Sequence, residues 1–349
     1  MKPLIKPPCL RRGDKVAAVS LSSGLAGEPS ILHRYNLGKQ RLMDVFGLEL
    51  VEMPHTLSGT EYIYAHPEKR AEDLMQAFAD SDIKAVISCI GGDDSIRLLP
   101  YIDYDVIRRN PKIYTGYSDS TVTHLMCLKA GLSSFYGASI LNDFAEYVSM
   151  SDYTVKWIEK VLFSPEPIGS IETSDTFTAQ YLPWDEKNIN TARTFEKNGG
   201  YELVCGSGKA SGCLIGGCLE VLDIARGTSV FPDLECFDGA ILFLETSEVH
   251  SPEWLFEDIL RGFGAMGILN RVNGIIFGKP QAGVLYEEYK PIIRKVIREC
   301  GIDIPVFYNA SFGHNEPKCL IPFGAEAELD CDAMTFTLGT ATSPRRLLD

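Results

Sequence analysis

A chain of 349 residues, 45% of them hydrophobic, has enough apolar surface for a sizeable core and more naturally builds two domains than one. A formal net charge of −14 and an isoelectric point near 5.0 argue against a nucleic-acid partner, which needs clustered Lys and Arg to displace counterions. The opening MKPLIKPPCLRRGDKVAAVS carries charges and prolines where a signal peptide needs an unbroken apolar segment, and no run elsewhere is long enough to span a bilayer. The expectation is a cytoplasmic protein with no membrane partner.

In chain order, KVAAVSLSSG (15–24) reads as a first strand closed by a Gly/Ser turn. HPEKRAEDLMQAFADSD (66–82) sets Ala71, Leu74, Met75 and Phe78 at i, i+3, i+4 and i+7, one apolar helical stripe, and IKAVISCI (83–90) is the next buried strand. That strand stops at Gly91-Gly92. KIYTGY (112–117) is a further strand leading into the helix STVTHLMCLKAGL (120–132), with Leu125 and Leu128 packed and Gly131 as its stop. Strands alternating with helices predict a parallel sheet covered by helices.

From 166 to 208 the sequence turns polar and broken, which reads as a linker and an excursion over a functional face. After it come ASGCLIGGCLEVLDIARG, the strand GAILFLET (239–246), a helix opened by Ser251-Pro252, the strand VNGIIFGKP (272–280), the helix EEYKPIIRKVIRECG (287–301) and the strand IPVFYNASF (304–312). The resulting division is an N-terminal domain at 1–165, the linking segment at 166–208 and a second α/β domain at 209–349. The ten cysteines form no C-x-x-C pair and sit mostly among apolar neighbours, so they read as reduced core residues rather than a disulfide or zinc framework.

Ser118, in YTGYSDSTVT, has two readings. It follows a strand and precedes a helix, the context in which a sharp turn exposes a side-chain oxygen toward the first N–H groups of the helix. It also suits an ordinary helix-capping serine, and GYSDS matches only the first three places of G-x-S-x-G, with Ser120 in the last. A nucleophilic serine needs a base. Among six histidines, His314 in NASFGHNEP lies just past a strand end, where parallel α/β sheets collect ligand-binding side chains, although it equally fits a solvated loop histidine. His124 is expected to point away from the Ser118 turn.

Glu245 finishes the apolar strand ILFLE, where a carboxylate is costly without a partner, and is preferred as orienter of the histidine over Glu248, which also fits a solvated position. Gly91 and Gly92 of CIGGDDS, together with the N–H of Asp119, are candidate oxyanion donors; a β-turn requiring glycine dihedrals is the alternative for the pair. With no phosphate-cradling glycine loop, and with GCLIGGCL (212–219) failing the dinucleotide pattern, no metal and no cofactor are expected. The glycines of GCLIGGCL are read as permitting close packing between domains.

Taken together and in this order, IGGDDSIRLLPYID, YTGYSDSTVTHL, ASGCLIGGCLEVL, LFLETSE and ASFGHNEP resemble the LD-carboxypeptidase family of serine peptidases, over about residues 12–340. The resemblance implies an N-terminal flavodoxin-like α/β domain carrying Ser118 and a C-terminal α/β domain with a swivelling β-rich core carrying Glu245 and His314. It further implies a homodimer and a metal-free Ser-His-Glu mechanism, with the oxyanion held by the N–H groups of Asp119 and the Gly91-Gly92 turn.

GGDDS, and the long 166–208 segment with Trp184, are more similar to the microcin C immunity branch than to the murein-recycling branch. That likeness implies a peptidyl- or aminoacyl-nucleotide substrate and a detoxifying role, with Trp184 either stacking on a purine or anchoring its loop. An anionic substrate on so acidic a chain calls for a local basic patch, for which Arg97, Lys187, Arg193 and Lys197 are the candidates. The rival expectation is a murein carboxypeptidase releasing terminal D-alanine from tetrapeptides.

Overall fold

The buried run KVAAV becomes β1 (Lys15–Val19) in the computed structural model, which describes residues 2–345. The chain continues through α1 (Leu32–Phe46), β2 (Glu49–Glu52), α2 (Thr60–Ala65), α3 (Pro67–Ala79) and β3 (Ile83–Ser88). Then come α4 (Tyr104–Arg109), β4 (Ile113–Gly116), α5 (Thr121–Ala130), β5 (Phe135–Tyr136) and α6 (Asp152–Leu162). Helix α3 starts with Pro67 at its first position, where a missing N–H costs nothing, and buries Ala71, Leu74 and Phe78 with Met75 packed at the margin. Helix α5 stops at Gly131, whose φ of 82° is the left-handed cap that glycine adopts without strain.

The polar stretch beyond α6 is more than a connection. It supplies β6 (Gly169–Ile171), a two-stranded ribbon of β7 (Thr176–Phe177) and β8 (Glu196–Lys197), and β9 (Glu202–Cys205). The remainder is β10 (Lys209–Cys218), α7 (Leu219–Ala225), β11 (Ile241–Glu245), α8 (Glu253–Ala265), β12 (Gly274–Gly278), α9 (Tyr286–Glu299), β13 (Val306–Ala310), β14 (Ile321–Pro322), β15 (Glu326–Asp330) and β16 (Thr335–Leu338).

The first sheet runs β14-β5-β4-β3-β1-β2, parallel throughout except for β14, which pairs antiparallel with β5. Its parallel part, read 2-1-3-4-5, is the doubly wound flavodoxin order, which places ligands beyond the C-terminal strand ends. The second sheet runs β6-β16-β15-β10-β11-β12-β13-β9. Strand β10 is its pivot: Lys209–Cys213 pairs antiparallel with β15, whereas Leu214–Cys218 pairs parallel with β11. The architecture is therefore mixed α/β, with a parallel-sheet N-terminal part and a separate C-terminal sheet.

Strands β11, β12 and β13 are buried along their whole length, which is why their sequences read as continuous apolar runs rather than as alternation. All ten cysteines are free. Among the described residues no helix is long and apolar enough to cross a membrane.

Candidate active site

Three strand ends converge. Strand β4 finishes at Gly116, Tyr117 stays extended, and Ser118 then takes a φ of 63° before the short turn Ser118–Ser120 enters α5. A non-glycine residue in the left-handed region costs on the order of 1–3 kcal/mol and persists only where its surroundings enforce it. The N-cap of α5 is Ser120, so Ser118 does not hold the capping position.

Several contacts enforce the turn. The Thr121 hydroxyl donates to the Ser118 carbonyl at 2.7 Å. The Asp119 carboxylate accepts the Ser95 N–H at 2.8 Å, and the Asp119 carbonyl accepts the Ser95 hydroxyl at 2.9 Å. Gly91 packs directly on the serine: a Cβ there would lie 2.8 Å from Ser118 Cβ and 3.1 Å from its Oγ. Gly92, at φ 147°, leaves a similar gap, since its Cβ would fall 2.4 Å from Ser22 Oγ.

Glu245 closes β11 with its side chain fully buried, and His314 follows β13 on the next loop. His314 Nδ1 lies 2.7 Å from Glu245 Oε2, and the His314 backbone N–H donates to that oxygen at 3.1 Å. The approach requires Gly313, where a Cβ would sit 2.4 Å from Glu245 Cγ. The other Glu245 oxygen accepts the hydroxyl of Tyr136, and that hydroxyl accepts the Ser118 N–H at 3.0 Å. Ser118, Tyr136, Glu245 and His314 thus form one connected network.

On its outer side His314 meets a second carboxylate. Nε2 lies 2.8 Å from Oε2 of Glu248, whose side chain remains 65% exposed, so Glu248 is not merely solvated. Burial alone would lower the His314 pKa, but Glu245 and Glu248 raise it to about 10. Burial would raise the Glu245 carboxyl, yet the facing imidazolium and its hydrogen bonds hold it below the ordinary value. The hydrogen bond from His314 likewise depresses Glu248.

Ser118 and His314 line one cavity with Gly91, Gly92, Glu248 and Trp184. Arg34 and Arg193 also line it, and the Arg34 guanidinium sits 4.3 Å from the Trp184 ring centroid. Arg193 forms a double contact with Glu146 and pairs with Glu316. Of the basic residues named from sequence, only Arg193 reaches the cavity; Arg97 pairs with Asp94 and Lys187 with Asp185. Arg34, on α1, was not singled out by the sequence, where no motif marks it.

Tyr136 was missed for a similar reason, since an aromatic residue in an apolar run reads as core. His124, expected to point away from the Ser118 turn, is buried with the Gly116 carbonyl 2.8 Å from Nε2 and Ser134 2.8 Å from Nδ1. Burial lowers its pKa to about 3, so it stays neutral beneath β4.

Donor atoms of Cys218, Glu245 and His314 lie within 4.8 Å of one another. Each is already engaged in hydrogen bonding, the Cys218 thiol with Glu220 at 3.2 Å, and burial holds that thiol well above its usual pKa. The cluster fits a hydrogen-bonded network.

Family models for the LD-carboxypeptidase N-terminal domain and C-terminal domain match residues 16–137 and 211–329. The microcin C7 self-immunity protein MccF of Escherichia coli is 30% identical over 95% of this chain and 94% of its own. The murein tetrapeptide carboxypeptidase of Pseudomonas aeruginosa is 24% identical over 83% of this chain and 86% of its own. Among solved structures, an MccF-like protein from Streptococcus pneumoniae in complex with AMP superposes with a TM-score of 0.87 at 35% identity, covering 93% of this chain and 98% of that one. MccF in complex with aspartyl sulfamoyl adenosine gives 0.85 at 28% identity, covering 97% and 99%.

Proposed function

The chain belongs to the LD-carboxypeptidase family, and from that premise we propose that it is a serine hydrolase cleaving an amide-type bond in aminoacyl- or peptidyl-nucleotides, with a detoxifying role. The observation that carries the reading is Ser118, held at left-handed φ on a cavity that also contains His314, itself braced by buried Glu245.

In this reading Ser118 Oγ attacks the carbonyl carbon as its proton passes to His314 Nε2. Glu245 fixes the tautomer through Nδ1 and stabilises the imidazolium. The developing oxyanion meets the N–H groups of Asp119 and of the Gly91-Gly92 turn. Collapse expels the nitrogen leaving group, which takes the proton from Nε2; water then attacks the acyl-serine with His314 as base, releasing the acid and restoring Ser118.

The nucleotide side of the reading rests on Trp184. Its indole lines the cavity beside Arg34 and Arg193, two cations on a chain of net charge −14. A stacked base is typically worth ~1–3 kcal/mol by alanine substitution. Relatives bound to AMP and to a sulfamoyl adenosine support the same assignment.

The test is to incubate the protein in parallel with an aminoacyl sulfamoyl adenosine and with a murein tetrapeptide, and to follow products by mass spectrometry. Release of the amino acid from the nucleoside is expected, and Ser118→Ala should abolish it while leaving the thermal transition in place. Turnover by Ser118→Ala would end the serine mechanism. D-alanine released from the tetrapeptide in place of nucleoside cleavage would assign the murein reaction.

A further inference from the structure

The outer nitrogen of His314 has to be unoccupied to take a proton from Ser118, yet in this structure Glu248 holds it. We infer that Glu248 is a specificity-determining residue that receives a cationic amino group of the substrate next to the scissile carbonyl, and that its transfer from His314 to this amine frees Nε2. The inference rests on the function proposed above and names the feature of the acyl portion that the site selects.

The geometry supports transfer. Glu248 lies in the turn just after β11 with its side chain 65% exposed, and it lines the same cavity as Ser118 and His314. Glu245 is differently placed: fully buried at the strand end and fixed by Tyr136 and by two donors of His314. One carboxylate is buried at the strand end and the other is open to the cavity and to solvent. Two carboxylates on one imidazole favour its charged form, which is no base, so the resting site is held off until one is diverted.

The diverting group must be a cation able to stand close to Nε2 without losing water to a larger apolar body, which fits a primary ammonium. Around His314 the other titratable and charged groups are Tyr117, edge-on at 5.0 Å, Cys218 beside Glu245, and Glu316 and Lys318 on the same loop. Lys318 is committed to Asp143 and Glu316, while Arg34 and Arg193 line the cavity. His250, near Glu248, pairs with Gln281 at 2.6 Å. Among these the exposed Glu248 is the carboxylate placed for a substrate amine.

The experiment compares an aminoacyl sulfamoyl adenosine with its N-acetylated counterpart, using wild type and Glu248→Gln. Wild type should prefer the free amine by about 10-fold or more in kcat/KM, a modest charge-assisted contact. The variant should bring the two compounds within about 2-fold, chiefly by raising kcat/KM for the acetylated one, and its acidic limb should lie at lower pH. Binding of each compound to Ser118→Ala, with the His314 ring followed by nitrogen-15 NMR, gives a readout free of turnover: the free amine should lower the His314 pKa and the acetylated compound should not.

Hydrolysis with an unchanged preference in Glu248→Gln, or equal His314 shifts with both compounds, would overturn the inference while leaving the proposed function standing. Cleavage of neither compound by wild type, with D-alanine released from a tetrapeptide, would overturn both.

Discussion

Tyr136 uses its hydroxyl twice, donating to buried Glu245 and accepting the Ser118 N–H at 3.0 Å. Replacing it with Phe keeps the ring against Phe243 but leaves a buried carboxylate short of a donor and a backbone N–H without its acceptor. An unsatisfied buried group costs about 1–3 kcal/mol. Tyr136→Phe should therefore lower the urea midpoint and reduce kcat by about 10-fold or more with little change in KM, the pattern of a positioning loss rather than of weakened binding. A variant with wild-type kcat would show that Ser118 and Glu245 are held without this bridge. Glu245 was singled out in the sequence because a carboxylate ending an apolar strand needs a partner, and His314 because it lies just past a strand end, whereas Ser118 read equally as a helix cap until the five motifs were taken together. Tyr136 and Glu248 were not legible, because a strand tyrosine resembles core and a glutamate before a helix resembles solvated surface; only tertiary contact distinguishes them.

At the scale of elements, α5 and β10 meet through one small contact surface. The Thr121 hydroxyl, at the first turn of α5, bonds the Ser118 carbonyl at 2.7 Å and accepts the Cys218 N–H at the end of β10 at 3.1 Å. Gly217 makes room for it: at φ 138°, a Cβ there would lie 2.6 Å from Thr121 Cγ2. Gly217→Ala forces the helix start away from the strand end, and overpacking of this kind costs roughly 1–3 kcal/mol. Lower Tm together with reduced turnover is expected, since the displaced turn carries Ser118; an unchanged Tm would show that the contact relaxes freely. The glycines of β10 were read from sequence as permitting close packing between domains because they fail the dinucleotide-binding pattern, and Gly217 packs on Thr121 at the start of α5, beside the other sheet. The edge strands β6 and β9 were illegible for a different reason. The three residues of β6 and the four of β9 carry little periodicity, and they become strands by pairing with β16 and β13.

Across the whole molecule 47 acidic side chains face 33 basic ones, and acidic neighbours converge on the buried cation of the His314 loop. Lys318 is fully buried, with its Nζ 3.0 Å from Asp143 and 3.3 Å from Glu316. Arg193, from the segment between the sheets, also reaches Glu316 and Glu146. This cluster ties the His314 loop to the chain before α6 and to the segment carrying Trp184. Burial alone would raise the Glu316 carboxyl, but Lys318 and Arg193 bring it from 4.5 to about 2. A carboxyl depressed on folding contributes stability above its unfolded value and loses it as the pH falls through the folded one, here between about 4.5 and about 2. Lys318 is raised, so its own contribution persists through neutral pH and does not add to the acid limb. Glu316→Gln should therefore be less stable than wild type at pH 7, yet lose less further stability between pH 5 and pH 3, because a proton-uptake site is gone. Denaturant unfolding at the two pH values measures this directly. Equal losses in both proteins would mean that other carboxylates, and not this buried cluster, set the acid limit of the fold.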